Sequence, residues 1–221
     1  LSVCNMPQID SLVPEGLLVN LAVGLTALAS SLRVFGPEKA VFWRESRTGM
    51  NTLSYFIGKL TSQLPQLFIA PFVFLMMFYP LANLNGSFGQ YYALLVLLQW
   101  TASSIGHVVS ILFTTNNSQF AGVIMIIVGA ALSGSFPRYA NLTSFVQGIS
   151  SFSYMRWGIE WFYLIEATSW ENYYDIQSGL DYWGWSRGNL VLAPIMLFVL
   201  GLTFNCVSYI LLFCMHKNRM Q

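Results

Sequence analysis

Charge is what this sequence has least of. Asp, Glu, Lys and Arg make up 9% of its 221 residues, against 55% hydrophobic, and the mean hydropathy is +0.57. A soluble globular domain carries about 25% charged residues. A surface this poor in charge excludes a monomeric life in water and points to lipid as the solvent. The net charge of +1 excludes the basic footprint of a nucleic-acid-binding protein. Cysteine is scarce too: Cys4, Cys206 and Cys214 have neither metal-site spacing nor even-numbered pairing, which excludes a disulfide framework and leaves them as apolar filler. No Gly-x-x-x-x-Gly-Lys-Ser/Thr phosphate loop occurs. Gly58-Lys59 lacks both the upstream glycine spacing and the following hydroxyl, so this chain cannot hydrolyse ATP. The two histidines, His107 and His216, fall on separate elements, so no Ser/His/Asp constellation forms, and no metal site is expected. The chain opens at Leu1 without a secretion signal and is expected to be a piece of something longer.

Long apolar runs are what it has. A helix needs about 20 apolar residues to cross a hydrocarbon core of roughly 30 Å, and five segments qualify: 15–34, 52–79, 90–113, 119–136 and 189–214. Lipid offers backbone amides no partner, so these runs are helices. The fold class is therefore an all-α integral membrane protein, a polytopic helical bundle forming one transmembrane unit over 1–221. Pro65 and Pro71 interrupt the overlong second span, as a static bend or as a hinge. Ala102, Gly106 and Ser110 on the third span recur every fourth position, as do Gly129 with Ser133 and Ala130 with Gly134 on the fourth. Such stripes are expected helix contacts.

Five spans put 35–51, 114–118 and 215–221 on one side of the membrane. With helix-end Arg33 and Lys59 snorkelling to it, that side holds seven basic residues: Arg33, Lys39, Arg44, Arg47, Lys59, Lys217 and Arg219. The other side holds three, Arg138, Arg156 and Arg187. The bias makes the first side, and with it the C-terminus, cytosolic. The stretch 36–49 mixes Val41, Phe42 and Trp43 with Glu38, Lys39, Arg44, Glu45 and Arg47, and reads as a short amphipathic helix. Pro37 suits its first turn and Gly49 its C-terminal cap. Such a helix lies in the headgroup layer or docks on a soluble partner.

The residues from 35 to 59 resemble a segment of the G-subfamily ABC transporters, the half-transporters of the white-pigment, sterol and multidrug type. Phe35, Glu38, Lys39, Phe42, Glu45, Gly49, Tyr55, Phe56, Gly58 and Lys59 carry the pattern, in a variant similar to the plant-like branch. A second stretch, FSYMRWGIE, resembles the one after the fifth membrane helix of that subfamily through Phe152, Ser153, Arg156, Trp157 and Glu160. The resemblance implies an ABC-2 type transmembrane domain, helices two to six of six, with a cytosolic coupling helix and an external re-entrant helical segment at 137–188. It further implies a nucleotide-binding domain outside this chain that binds ATP and Mg, a second half-transporter in a homo- or heterodimer, and residence in the plasma membrane or an endomembrane. The surface that receives the motion of the nucleotide-binding domain would be Glu38, Lys39, Phe42, Arg44, Glu45 and Arg47. In the family the second and fifth helices line a central cavity. Here the corresponding faces are Asn20, Val23 and Thr26, with Ile126, Gly129, Ala130 and Ser133. A cavity of that make-up suits lipid-like or other hydrophobic cargo rather than an ion. Some family members carry a leucine pair after Ser-Gly as an outer plug. This chain has Ser133-Gly134-Ser135-Phe136, which leaves Phe136 as the outer gate.

In the external segment, Trp157, Trp161, Tyr163 and Trp170 are expected at a membrane interface, and 145–165 as one or two helices entering the outer leaflet. Arg156 and Glu160 are spaced to pair on one helix face. Asn85 and Asn141 head external glycosylation sequons, whereas the same pattern at Asn116 lies on the cytosolic side. His107, mid-span, is either a functional site or a neutral histidine bonded to a neighbouring helix. A channel or passive scaffold is the alternative class, but it has no evident need for a charged docking helix. An ion-coupled transporter is disfavoured, since no repeat appears and every Asp and Glu lies outside the hydrocarbon core.

Overall fold

The computed structural model describes residues 7–36, 39–46, 49–171 and 176–220. They are helical with no strand among them: α1 (Pro7–Phe35), α2 (Lys39–Ser46), α3 (Thr52–Leu81), α4 (Phe88–Leu112), α5 (Thr115–Ala131), a 3-10 turn at Tyr139–Asn141, α6 (Ser144–Ser150), α7 (Tyr154–Ser169), α8 (Ile176–Trp183) and α9 (Asn189–Met220). Within α1, α3, α4 and α9 lie four stretches long and apolar enough to cross a membrane.

α4 is the hub, packed on α1, α9, α3 and α7. Its small residues allow this. Gly106 sits where any side chain would run into Ser31 of α1, and the Ser110 hydroxyl donates to the Leu32 carbonyl at 2.9 Å. These contacts are what small-residue stripes do in lipid, where van der Waals packing and not hydrophobic expulsion holds helices together. α3 keeps to the edge. Only Thr52, Phe56, Pro71 and Leu75 are buried along its 30 residues, and the helix runs unbroken through Pro65, Pro71 and Pro80.

The span expected at 119–136 is shorter in the structure. α5 ends at Ala131, because the Ser133 hydroxyl turns back to the Ala130 carbonyl at 2.6 Å and Gly134 takes a left-handed φ of 77°. A residue with a Cβ is disfavoured there, and an added Cβ would also press on Tyr139. At 17 residues, about 26 Å of helix, α5 falls just short of the roughly 30 Å hydrocarbon core.

The external segment departs most from expectation. Every residue of α7 from Tyr154 to Ala167 is buried, and the helix is held among α1, α4, α5 and α9. Trp157, Trp161 and Tyr163, expected at the headgroup layer, are instead core residues. α7 is too short to span, at about 24 Å for 16 residues. It is an inserted wedge, not a surface helix. Its close fit depends on Gly158, where a Cβ would overlap the Asn20 side chain of α1.

The core therefore has two ends. At one, Leu12 and Val13 of α1 pack with Ile159, Tyr163 and Leu164 of α7 and Leu180 of α8. At the other, Phe35, Phe42, Phe56, Ile111 and Leu212 gather the end of α1, α2, the start of α3 and the ends of α4 and α9.

Candidate functional site

α2 begins just after the end of α1 and covers the foot of the bundle. Asn51 caps the helix that follows, its side-chain oxygen accepting from the Leu53 amide at 2.9 Å. Phe42 points inward and is 2% exposed. Its ring lies 4.7 Å from that of Tyr55, and Tyr55 in turn meets Phe35 at 6.3 Å. Phe35 stacks on Phe56 at 5.7 Å and meets the His107 ring edge-on at 5.4 Å. One aromatic series thus runs from α2 into the bundle. On the outward side, Val41, Arg44 and Glu45 are exposed. The amphipathic character read from the sequence is present, in a helix shorter than the expected 36–49. Of the six residues assigned to this surface, Arg44 and Glu45 lie on the outward side of α2, whereas Phe42 is turned into the bundle, where its apolar ring is buried. Lys39 is the first residue of α2, and Glu38 and Arg47 lie outside the described residues.

His107 leads from this series to a polar cluster inside the spans. Its Nδ1 is 3.2 Å from Asn205 Oδ1 of α9, and its Nε2 is 3.0 Å from Gln63 Oε1 of α3. Asn205 also donates to Ser104 Oγ at 2.6 Å and to the Gly201 carbonyl at 3.0 Å. One histidine on α4 thereby stands between side-chain oxygens of α3 and α9, and its neutral ring, with one N–H, donates to one of them at a time. Gln63 and Asn205 were not singled out in the sequence, although amides inside apolar runs are a signal that could have marked them.

The α1 and α5 positions assigned to a cavity are mostly turned inward. Asn20 is fully buried against Gly158, its side-chain nitrogen donating to the Gly16 carbonyl at 2.6 Å. Val23, Ile126 and Ser133 are also buried, and Gly129 and Ala130 are half-buried beside α7, where the Ser153 hydroxyl reaches the Gly129 carbonyl at 2.9 Å. Only Thr26 opens outward, with its hydroxyl returned to the Ala22 and Val23 carbonyls. The outward faces consist of Leu18, Leu25 and Thr26 on α1 and Phe120, Ile124 and Ile127 on α5. Within this one chain the assigned residues hold α7, while the faces open to a neighbour are rotated from them. Phe136 is 68% exposed beyond the end of α5.

At the far end, Glu166 anchors α7. Its carboxylate accepts from the Tyr91 hydroxyl at 2.5 Å, the Asn85 and Gly86 amides at 3.1 and 3.2 Å, and the Trp170 indole at 3.2 Å. Burial pushes this carboxyl up, but the bonds from Tyr91, Asn85 and Gly86 outweigh it and hold the group below the usual range. Asn85 also commits its side-chain nitrogen, the atom a glycan would occupy, to Glu166 at 3.2 Å. Asn141 is exposed in the 3-10 turn. Glu160 lies 3.9 Å from Arg156, as the spacing predicts, and accepts from Asn189 at 2.5 Å. Burial raises its carboxyl above the usual range, with Asn189 and Arg156 opposing. Among the described residues, no group of three or more His, Cys, Asp or Glu side chains is placed to hold a metal.

Residues 16–218 match the ABC-2 type transporter family. Among similar proteins, ABC transporter G family member 28 of Arabidopsis thaliana is 28% identical over 197 residues, covering 88% of this chain and 17% of its own length. ABC transporter G family member 25 of Oryza sativa subsp. japonica is 27% identical over 190 residues, covering 85% and 18%. Protein white of Ceratitis capitata is 26% identical over 136 residues, covering 59% and 20%. The chain spans less than one fifth of the length of the two plant relatives. With its apolar helices, this makes it a multi-pass integral membrane protein.

Proposed function

The chain belongs to the ABC-2 type transporter family, and from that premise we propose that it is the transmembrane part of an ATP-driven half-transporter. ATP and Mg act on a nucleotide-binding domain that is not among these residues. That domain presses on α2, and a second half, identical or different, completes the transporter across the outward faces of α1 and α5. The cargo is lipid-like or otherwise hydrophobic, since the exposed faces offer Leu, Ile and Phe with a few hydroxyls. The excess of basic residues near α2 supports a cytosolic side for it and for the C-terminus.

The observation that carries this reading is the construction of α2. It is welded to the bundle by Phe42, which belongs to the same buried cluster as the ends of four other helices. Arg44 and Glu45 nevertheless face outward. A helix that served only to rest in headgroups needs no such rigid footing. One that receives force does, because closely packed interiors transmit displacement instead of absorbing it. The test is Arg44→Ala with Glu45→Ala in the intact transporter. ATP turnover is expected to persist while transport falls, with membrane insertion normal. Unchanged transport removes the transmission role, and modification of an Arg47→Cys variant only from outside intact cells reverses the sidedness.

A further inference from the structure

A second polar feature lies away from both α2 and the outward faces of α1 and α5. α4 forms the floor of a cleft of about 360 Å³, open side included, with α3 along one wall and Ser30 of α1 on the other. On the floor, Gln99, Ser103 and His107 follow one another every fourth residue, and α3 contributes Gln63 and Gln66. His107 and Gln63 are bonded to each other, and Ser30 is bonded back to the Ala27 carbonyl at 2.8 Å. The side chains of Gln99, Ser103 and Gln66 make no hydrogen bond to another described residue, although Gln99 is only 3% exposed. All of them lie within the spanning stretches of α3 and α4.

This arrangement is costly without an occupant. An amide or hydroxyl left unbonded in an apolar medium is less stable than in water, and the bilayer core supplies no donor of its own. The space open to a water-sized group within the cleft is small, which suits a hydroxyl better than a phosphate or sugar headgroup. The rim is apolar, with Leu64 exposed beside the opening. A group of hydroxyl size set inside, and a hydrocarbon body lying outside along α3, satisfies both conditions. We propose that this cleft is a lateral binding site for a hydroxyl-bearing membrane amphiphile, whose hydroxyl bonds Gln99 and Ser103 beside His107. The site stands apart from the transport reading, since it requires neither ATP nor a second half.

The test uses the full-length protein in nanodiscs of palmitoyl-oleoyl-phosphatidylcholine and a photoreactive hexadecanol with its diazirine near the hydroxyl. Labelled peptides, located by mass spectrometry, are expected within 60–67 and 99–107. Excess hexadecanol competes, whereas hexadecyl methyl ether, which cannot donate a hydrogen bond, does not. Gln99→Leu with Ser103→Ala lowers the labelling about tenfold, as loss of buried hydrogen bonds predicts. Should that double variant fail to fold, the alcohol–ether contrast on the unaltered protein and Ser103→Ala alone decide the matter. Equal competition by the ether, labelling confined to other segments, or a Ser103→Cys cross-link showing that another part of the protein fills the cleft would each overturn the proposal.

Discussion

The Tyr91 hydroxyl of α4 donates a hydrogen bond to the Glu166 carboxylate of α7 at 2.5 Å, and through this bond the inserted helix is tied to the start of a membrane span. The same carboxylate gathers the amides of the turn between α3 and α4. A single side chain therefore ties α7 to the turn before α4 and to the first turn of α4, 75 to 81 residues earlier in the chain. Removing one partner leaves the others buried and unmatched, a loss of about 1–3 kcal/mol per group. Tyr91→Phe and Glu166→Gln are each expected to lower the unfolding temperature in detergent, Glu166→Gln the more. Together they should cost less than the sum of the single changes, since both remove the same bond. Strict additivity would show that the bond contributes nothing to stability.

The same anchor sets a pH response. Glu166 titrates lower in the folded protein than in the unfolded chain, so the folded state binds fewer protons there. Its contribution is complete above the ordinary carboxyl value of 4.5 and is lost as the pH falls through the lower folded value. Thermal unfolding followed from neutral pH downward should therefore show the acid-side loss of stability, and Glu166→Gln should flatten it. A variant that keeps the full acid slope would assign that slope to other groups.

Gly106 tests how closely α1 and α4 approach. A Cβ there meets the Ser31 side chain, whose own Cβ would be 2.9 Å away. Gly106→Ala is expected to destabilise by about 1–3 kcal/mol, the usual cost of overpacking. Ser31→Gly in the same chain should restore much of the loss, because it clears the space. Denaturation of the reconstituted protein in sodium dodecyl sulfate measures both. No recovery in the double variant would mean that the strain falls elsewhere.

Asn205 is the joint of the intramembrane cluster, bonded to His107, Ser104 and the Gly201 carbonyl. Hydrogen bonds between membrane helices contribute about 0.6 kcal/mol on average and about 1.7 at most. Asn205→Leu is accordingly expected to cost about 1–2 kcal/mol in the same denaturation, and His107→Leu in the Asn205→Leu background to cost less than His107→Leu alone, since only the Gln63 contact is then left to lose. A full additional loss from His107→Leu would place its main partner at Gln63 instead.

The spans on α1, α3, α4 and α9 were legible because a run of apolar residues long enough to cross a bilayer has few other uses. The α2 helix was legible from the charge gathered in one short stretch. Rotation was not. Asn20, Val23 and Ile126 were assigned to an open face, yet they pack against neighbours. On a helix that is apolar all round, hydropathy does not separate a lipid-facing side from a protein-facing one. Only close contacts such as Asn20 against Gly158 decide it. The burial of α7 was hidden for a related reason. Trp157, Trp161 and Tyr163 read equally as a headgroup belt or as a core, and the surrounding helices that choose between them come from far along the chain.

The wedge has a consequence for synthesis. α7 precedes α9 in the chain but needs it as a neighbour, with the Glu160 carboxylate waiting for Asn189 at the first residue of α9. Until α9 leaves the ribosome, the nascent protein carries an acidic helix with two tryptophans and one wall missing. A chain halted before residue 189 therefore leaves the α9-facing wall of α7 uncovered and Glu160 without its Asn189 partner.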